Sequence, residues 1–190
     1  MKNEPPHEKP IYNYPEFVKK IRLKAAVGKR YWLKLIIDED KTDQIAVILK
    51  NPSRADHRVS DKTVFNVANY IYRNRDQYVA LKNIGKITIV NLIPDYLTDS
   101  HRLKEFKDHI INKENLRALR QVCCKNRKVI IAWGNHPTGL YEEFEMLKKF
   151  ATDILSKNKN VVFFVDRMTK KGNPKHGQVW GYRDELIRFI

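Results

Sequence analysis

At 190 residues and 42% hydrophobic content, the chain is long enough for one sizeable core and short for two domains, without repeats or low-complexity tracts. Lysine and arginine number 37 against 22 aspartates and glutamates, a formal charge of +15, and this balance points to a polyanionic partner, nucleic acid, with DNA ahead of RNA. A membrane partner is not expected: no apolar run approaches spanning length, the opening MKNEPPHEKP has no apolar targeting region, and no basic amphipathic helix or lipidation signal stands out.

The only cysteines, Cys123 and Cys124, are adjacent and offer no disulfide framework, so a reducing, cytoplasmic compartment is expected. Residues 1–15 hold four of the eight prolines and read as a flexible arm ahead of one α/β domain over 16–190. The stretch from Lys19 to Lys34 carries seven basic and no acidic side chains. Across this region Phe17, Val18, Ile21 and Ala25 suit a short basic helix, whereas Tyr31, Leu33, Leu35 and Ile37 alternate as in a strand. The polar DEDKTDQ then turns into the apolar run Ile45–Leu49, an antiparallel pairing by this reading.

That run stops at Lys50-Asn51-Pro52-Ser53, and Val64, Val67, Ala68 and Ile71 follow at helical spacing, giving a helix over about 61–74 capped by Ser60 or Asp61. Further apolar runs at Ile87–Ile93, Val129–Trp133 and Val161–Val165 read as strands. Leu103, Phe106 and Ile110, then Leu116, Leu119 and Val122, mark two helices, and Thr138 is placed to cap a third bearing Phe144, Leu147, Ala151, Ile154 and Leu155. A strand or helix over 182–190 closes the chain. Alternating strands and helices predict a three-layer α/β fold, a mainly parallel central sheet with helices on both faces. In such sheets the chemistry collects outside the carboxyl ends of the strands.

Four features mark those ends. Asn51, Pro52 and Ser53 leave the first buried strand, with Asp56 and Asp61 close behind; they serve either as a water-positioning amide with a carboxylate base or anchor, or as a side-chain-capped turn and helix cap. Asn91 puts an amide into a buried strand, where backbone or a ligand must complete its hydrogen bonds. Trp133-Gly134 ends another strand, the glycine allowing close approach and the indole either stacking on a base or packing in the core. His176 sits in KKGNPKHG, a donor-rich loop better suited to phosphate than to metal. Lys50, Arg54, Arg58, Lys170, Lys171 and Lys175 surround these positions as candidate phosphate contacts. Phosphate-loop, dinucleotide, CxxC, HExxH and GxSxG signatures are all missing, and neither a metal nor a cofactor is expected.

The stretches RYWLKLII, VILKNPSRAD with the later DKTV, IVNLIPDYLTD, the NKEN region, VIIAWG and TKKGNPKH resemble domain-of-unknown-function family 1643 of bacteria and phages over about 30–176. That family carries no assigned reaction, and its recurrence on prophages and mobile elements implies a setting in DNA metabolism. One position departs: Gly177 follows His176 where the family pattern continues with proline. More distantly, the order Asn51-Pro52-Ser53, Asn91, Ala132-Trp133-Gly134 and Lys175-His176-Gly177 resembles that of uracil-DNA glycosylases. This second resemblance implies a glycosylase-like fold in which Asn51 positions a water, Asn91 reads a base edge and His176 stabilises charge on a departing base. An amide is no general base near neutral pH, so turnover needs Asp56 or Asp61. The expected function is nucleic-acid binding with a nucleobase held in the cleft, with or without N-glycosidic hydrolysis. The alternatives are a non-catalytic DNA-binding accessory protein of a phage or mobile element, and an enzyme acting on free nucleotides.

Overall fold

A computed structural model describes residues 12–97 and 100–189; the expected arm lies outside them up to residue 11. Seven strands form one sheet in the order β1-β2-β4-β3-β5-β6-β7: β1 Lys20–Ala26, β2 Lys29–Ile36, β3 Asp43–Leu49, β4 Ile84–Asn91, β5 Lys128–Ile131, β6 Val161–Val165 and β7 Leu186–Arg188. The four apolar runs are neighbours and mutually parallel, β4-β3-β5-β6, and antiparallel strands close both edges. Helix α1, Lys62–Arg73, contributes Val64, Val67, Ala68, Tyr70 and Ile71 to the core on one face. Helices α2, Lys113–Lys125, and α3, Tyr141–Lys157, cover the other face together with the 3-10 segment Ser100–His109. Strands buried on both faces show no alternation, which is why β3 and β4 read as continuous apolar runs.

Three expectations change. β2 does not pair with β3, because β4 lies between them. The DEDKTDQ loop crosses over the start of β4 at Gly85, where an added Cβ would sit 2.3 Å from the Lys41 carbonyl oxygen and 2.4 Å from that of Asp38. Only glycine lets that crossing lie so close. Second, the segment expected as a basic helix is β1, a hairpin partner of β2; the turn at Val27-Gly28, with Gly28 at φ 69°, overrides its helical spacing. Phe17 instead stacks on Tyr72 of α1 with ring centres 3.9 Å apart. Third, Thr138 is not the cap of α3; Leu140 occupies that position and makes no side-chain capping bond. The cap of α1 is Asp61, and the closing segment is the strand β7.

One irregularity bears on the site. Lys24 pairs with Trp32 but Ala25 pairs with Arg30, so Tyr31 is an extra residue in β2. A bulge of one residue reverses the alternation beyond it. Arg30 therefore turns to the α1 side of the sheet, where Nη1 donates to the Ala55 carbonyl oxygen at 2.9 Å.

Candidate functional site

The carboxyl ends of β4, β3 and β5 meet at one rim, with β3 in the middle. The chain reverses its winding direction here, because β3 leads to β4 on one side while β5 lies on the other; ligands of open α/β sheets bind at such a point.

The loop after β3 is closed from within. Asp61 caps α1, Oδ1 accepting the Val64 N–H at 2.8 Å, while Oδ2 accepts the Ala55 and Arg54 N–H groups at 3.3 and 3.4 Å. Asp56 Oδ1 accepts the Arg58 and Val59 N–H groups at 2.7 and 2.9 Å. Burial raises the Asp56 pKa, but those amides and the charges of His57 and Arg58 outweigh it and leave the carboxyl below its ordinary value. Asp61 thus uses both oxygens, and Asp56 its Oδ1, as cap and turn acceptors. Beneath them lies Arg30, 1% exposed, its Nε without a partner and the Asp61, Tyr96 and Tyr14 side chains close enough to act on its charge. The N-terminal segment covers this loop: Tyr12 bridges Ser60, and the Tyr14 hydroxyl donates to the Asp56 carbonyl oxygen.

Asn51 ties this loop to the one after β4. Its Nδ2 donates to the carbonyl oxygens of Pro52 at 3.0 Å and Leu97 at 2.7 Å, and the Leu97 N–H returns a bond to the Pro52 oxygen at 2.9 Å. Pro52 is buried and Ser53 half-buried in this link. At the end of β4, Asn115 of α2 donates from Nδ2 to the Asn91 and Leu92 carbonyl oxygens. The Asn91 side chain itself is 0% exposed, and neither its Nδ2 nor its Oδ1 has a partner. Parallel pairing of Leu49 with Asn91 sets the amide beside Leu49 on the α1 side of the sheet.

The C-terminal loop crosses the same side. An added Cβ on Gly177 would lie 2.8 Å from Val67 Cγ2 and 3.2 Å from Leu49 Cδ2, so the loop is pressed between α1 and the end of β3. Proline would bring the same Cβ, which accounts physically for glycine at this position. His176 Nδ1 accepts the Gln178 N–H at 3.2 Å, which leaves the ring proton on Nε2. Burial, and then the charge of Lys50, push the imidazole down to about 4, with Asp61 acting the other way. Lys50 is half-buried, and burial lowers its pKa with no carboxylate to offset it. Gly134, at φ 66°, lies against His176.

The remaining expected residues lie further out. Trp133, 3% exposed, belongs to the core beneath α3, and its Nε1 has no partner. Lys170 and Lys171 are exposed on a turn closed by Thr169 and Asn173, both bonded to Asn135 Oδ1. Lys175 is a clasp, its Nζ 2.9 Å from Asp166 and 2.6 Å from Asp184. Arg54 and Arg58 are exposed beside the loop after β3. Sequence reasoning missed Arg30 and Asn115; nothing in their local pattern separates a bulge-turned arginine or a loop-binding asparagine from ordinary surface residues. Among the described residues no three His, Cys, Asp or Glu side chains could share a metal, and no helix is long and apolar enough to cross a membrane.

Residues 30–177 match the family model described as a protein of unknown function, DUF1643. A match over most of the chain defines the class, a family without an assigned activity. The chain belongs to this family. No curated protein and no solved structure matches it.

Proposed function

We propose that the protein binds nucleic acid and takes a nucleobase into the rim between β3, β4 and β5, in the manner of a glycosylase-like pocket. One observation carries this reading: the Asn91 amide is fully buried with both polar atoms unpaired. A primary amide offers two donors and an acceptor, the complement of a base edge. Leaving such a group unsatisfied costs about 1–3 kcal/mol for each lost partner, a cost that a ligand's polar edge removes. Lys50 supplies positive charge on this side of the sheet and His176 a neutral N–H donor, groups suited to a base or phosphate that carries negative charge. Entry of a base requires the rim to open, and the bonds joining Asn51, Pro52 and Leu97 are its closure.

A second reading, a nucleic-acid-binding accessory protein without turnover, is favoured by Asp56 and Asp61. Both oxygens of Asp61 and Oδ1 of Asp56 already accept backbone N–H groups, which ties both carboxylates to the loop and leaves neither poised on a water as a general base. The test is to incubate the protein with oligonucleotides carrying uracil or other modified bases and to cleave any abasic sites with alkali. A parallel arm follows a fluorescent base analogue for unstacking on binding. Unstacking that disappears in Asn91→Ala, without strand cleavage, supports base engagement without hydrolysis. Cleavage in wild type alone supports the glycosylase reaction. Binding with neither signal, equal in wild type and variant, removes the base-handling role.

A further inference from the structure

Alternation along the strands gives the β1–β2 hairpin two surfaces. On the α1 side, Ile21 and Leu23 pack against the core with Leu33 and Leu35. The other side carries Lys20, Arg22 and Lys24 from β1, all exposed, and Trp32 and Lys34 from β2, both half-buried, with one part of Trp32 packed against the core under α2 and the rest open. Register places them in rows: Arg22 opposite Lys34, and Lys24 opposite Trp32. Lys24 Nζ also stands over the Tyr31 ring at 5.7 Å. Lys86 of β4 and Lys125 at the end of α2 extend the patch, since both act on Lys34 along with Arg22, and each lowers its pKa further after burial has done so. Glu16, Asp38, Glu39 and Asp40 line a groove with Tyr72 of α1 and Arg75 just past its end instead. Positive charge is thus gathered on one sheet face and negative charge kept off it.

We propose that this face of β1 and β2 is a platform for a single strand of nucleic acid, with Lys20, Arg22, Lys24 and Lys34 contacting phosphates and Trp32 stacking on a base. Alternate residues of a strand advance roughly 7 Å, close to the step between successive phosphates of an extended strand. Uncompensated charge and an aromatic ring on one surface are what sequence-tolerant single-strand binding uses. Trp32 pairs with Val90, the residue before Asn91, so the platform reaches the same rim on the sheet face opposite the Asn91 amide, and a strand would turn over the rim to present a base there. This inference rests on the proposed nucleic-acid function and says where the strand runs on its way to that rim.

The experiment is a salt titration of a labelled oligothymidylate against wild type, the Lys20→Ala/Arg22→Ala/Lys24→Ala variant, and a charge-matched control, Lys104→Ala/Lys113→Ala/Lys157→Ala. All six positions are exposed. Each phosphate contact contributes about 0.7 to the slope of log affinity on log salt for single strands. The hairpin variant is expected to lower that slope by about 2 and to weaken low-salt binding about tenfold or more, with the control near wild type. Trp32→Leu, folding verified by circular dichroism, is expected to weaken binding about tenfold and leave the slope unchanged. Equal weakening of hairpin variant and control, or duplex bound as tightly as single strand, overturns the platform and leaves the base site standing. No binding by wild type at low salt overturns both.

Discussion

Gly134 and His176 are in contact across the rim: a methyl added to Gly134 would come to 3.0 Å from His176 Cβ. The glycine also holds φ at +66°, so two separate constraints act on one residue. Gly172 shares only the backbone constraint, with φ at +70° and nothing within 4 Å of an added methyl. Gly172→Ala is therefore expected to cost only the left-handed backbone term, about 1–2 kcal/mol, and Gly134→Ala more than that. Urea unfolding of the two variants makes the comparison; equal losses would mean that the Gly134–His176 contact is slack.

Gly177 offers a test of the loop's seating. A methyl there meets Val67 Cγ2 at 2.8 Å, so Gly177→Ala is expected to destabilise by about 1–3 kcal/mol through overpacking. Removing the obstructing methyls with Val67→Ala is expected to relieve part of that loss, giving a coupling energy in a double-mutant cycle. Strict additivity of the two substitutions would show that the loop does not press on α1.

His176 should make stability depend on pH in one direction. Its folded pKa, about 4, is below the ordinary 6.5, so the unfolded chain binds the proton first as pH falls. The stabilisation held by the neutral ring is complete above 6.5 and is lost between 6.5 and about 4. Because the residue is only half-buried, solvent screening keeps the loss below the full value of such a shift. His176→Gln is expected to flatten the decline over that window relative to wild type in denaturant midpoints, and an NMR titration should place the imidazole near 4. An imidazole titrating at its ordinary value would contradict the packing described.

Asn51 closes the rim. Asn51→Ala removes the bonds to the Pro52 and Leu97 carbonyl oxygens, an expected loss of about 1–3 kcal/mol. Hydrogen exchange at the Leu97 amide, which bonds to Pro52, is expected to speed up. Unchanged exchange would show that Asn51 does not hold the two loops together.

The parallel centre of the sheet was legible because strands buried on both faces, such as Ile45–Leu49, need uninterrupted apolar runs. α1 was legible because Asp61 precedes four apolar residues at helical spacing. Strand neighbours were not: the insertion of β4 beside β2 depends on Gly85 lying beneath a loop some forty positions earlier, a contact with no local trace. Nor was β1, whose spacing of Phe17, Ile21 and Ala25 suits a helix until β2 offers a ladder. At the site, buried Asn91 stood out because an amide in an apolar strand is costly. The roles of Asp56, Asp61 and Lys175 depend on which backbone amides and carboxylates fold beside them, and spacing alone left those open.

The central claim is that Asn91 is kept unsatisfied for a ligand, and Asn91→Leu tests it most directly. Replacing an unpaired buried amide by an apolar side chain of similar size removes a desolvation cost. The variant is expected to be as stable as wild type or more stable, by up to about 1–3 kcal/mol in urea unfolding. Phosphate-driven oligonucleotide binding is expected to persist, and the fluorescence signal of a base analogue unstacked by the wild-type protein to disappear. A variant that loses stability, or one that still unstacks the base, would contradict the account.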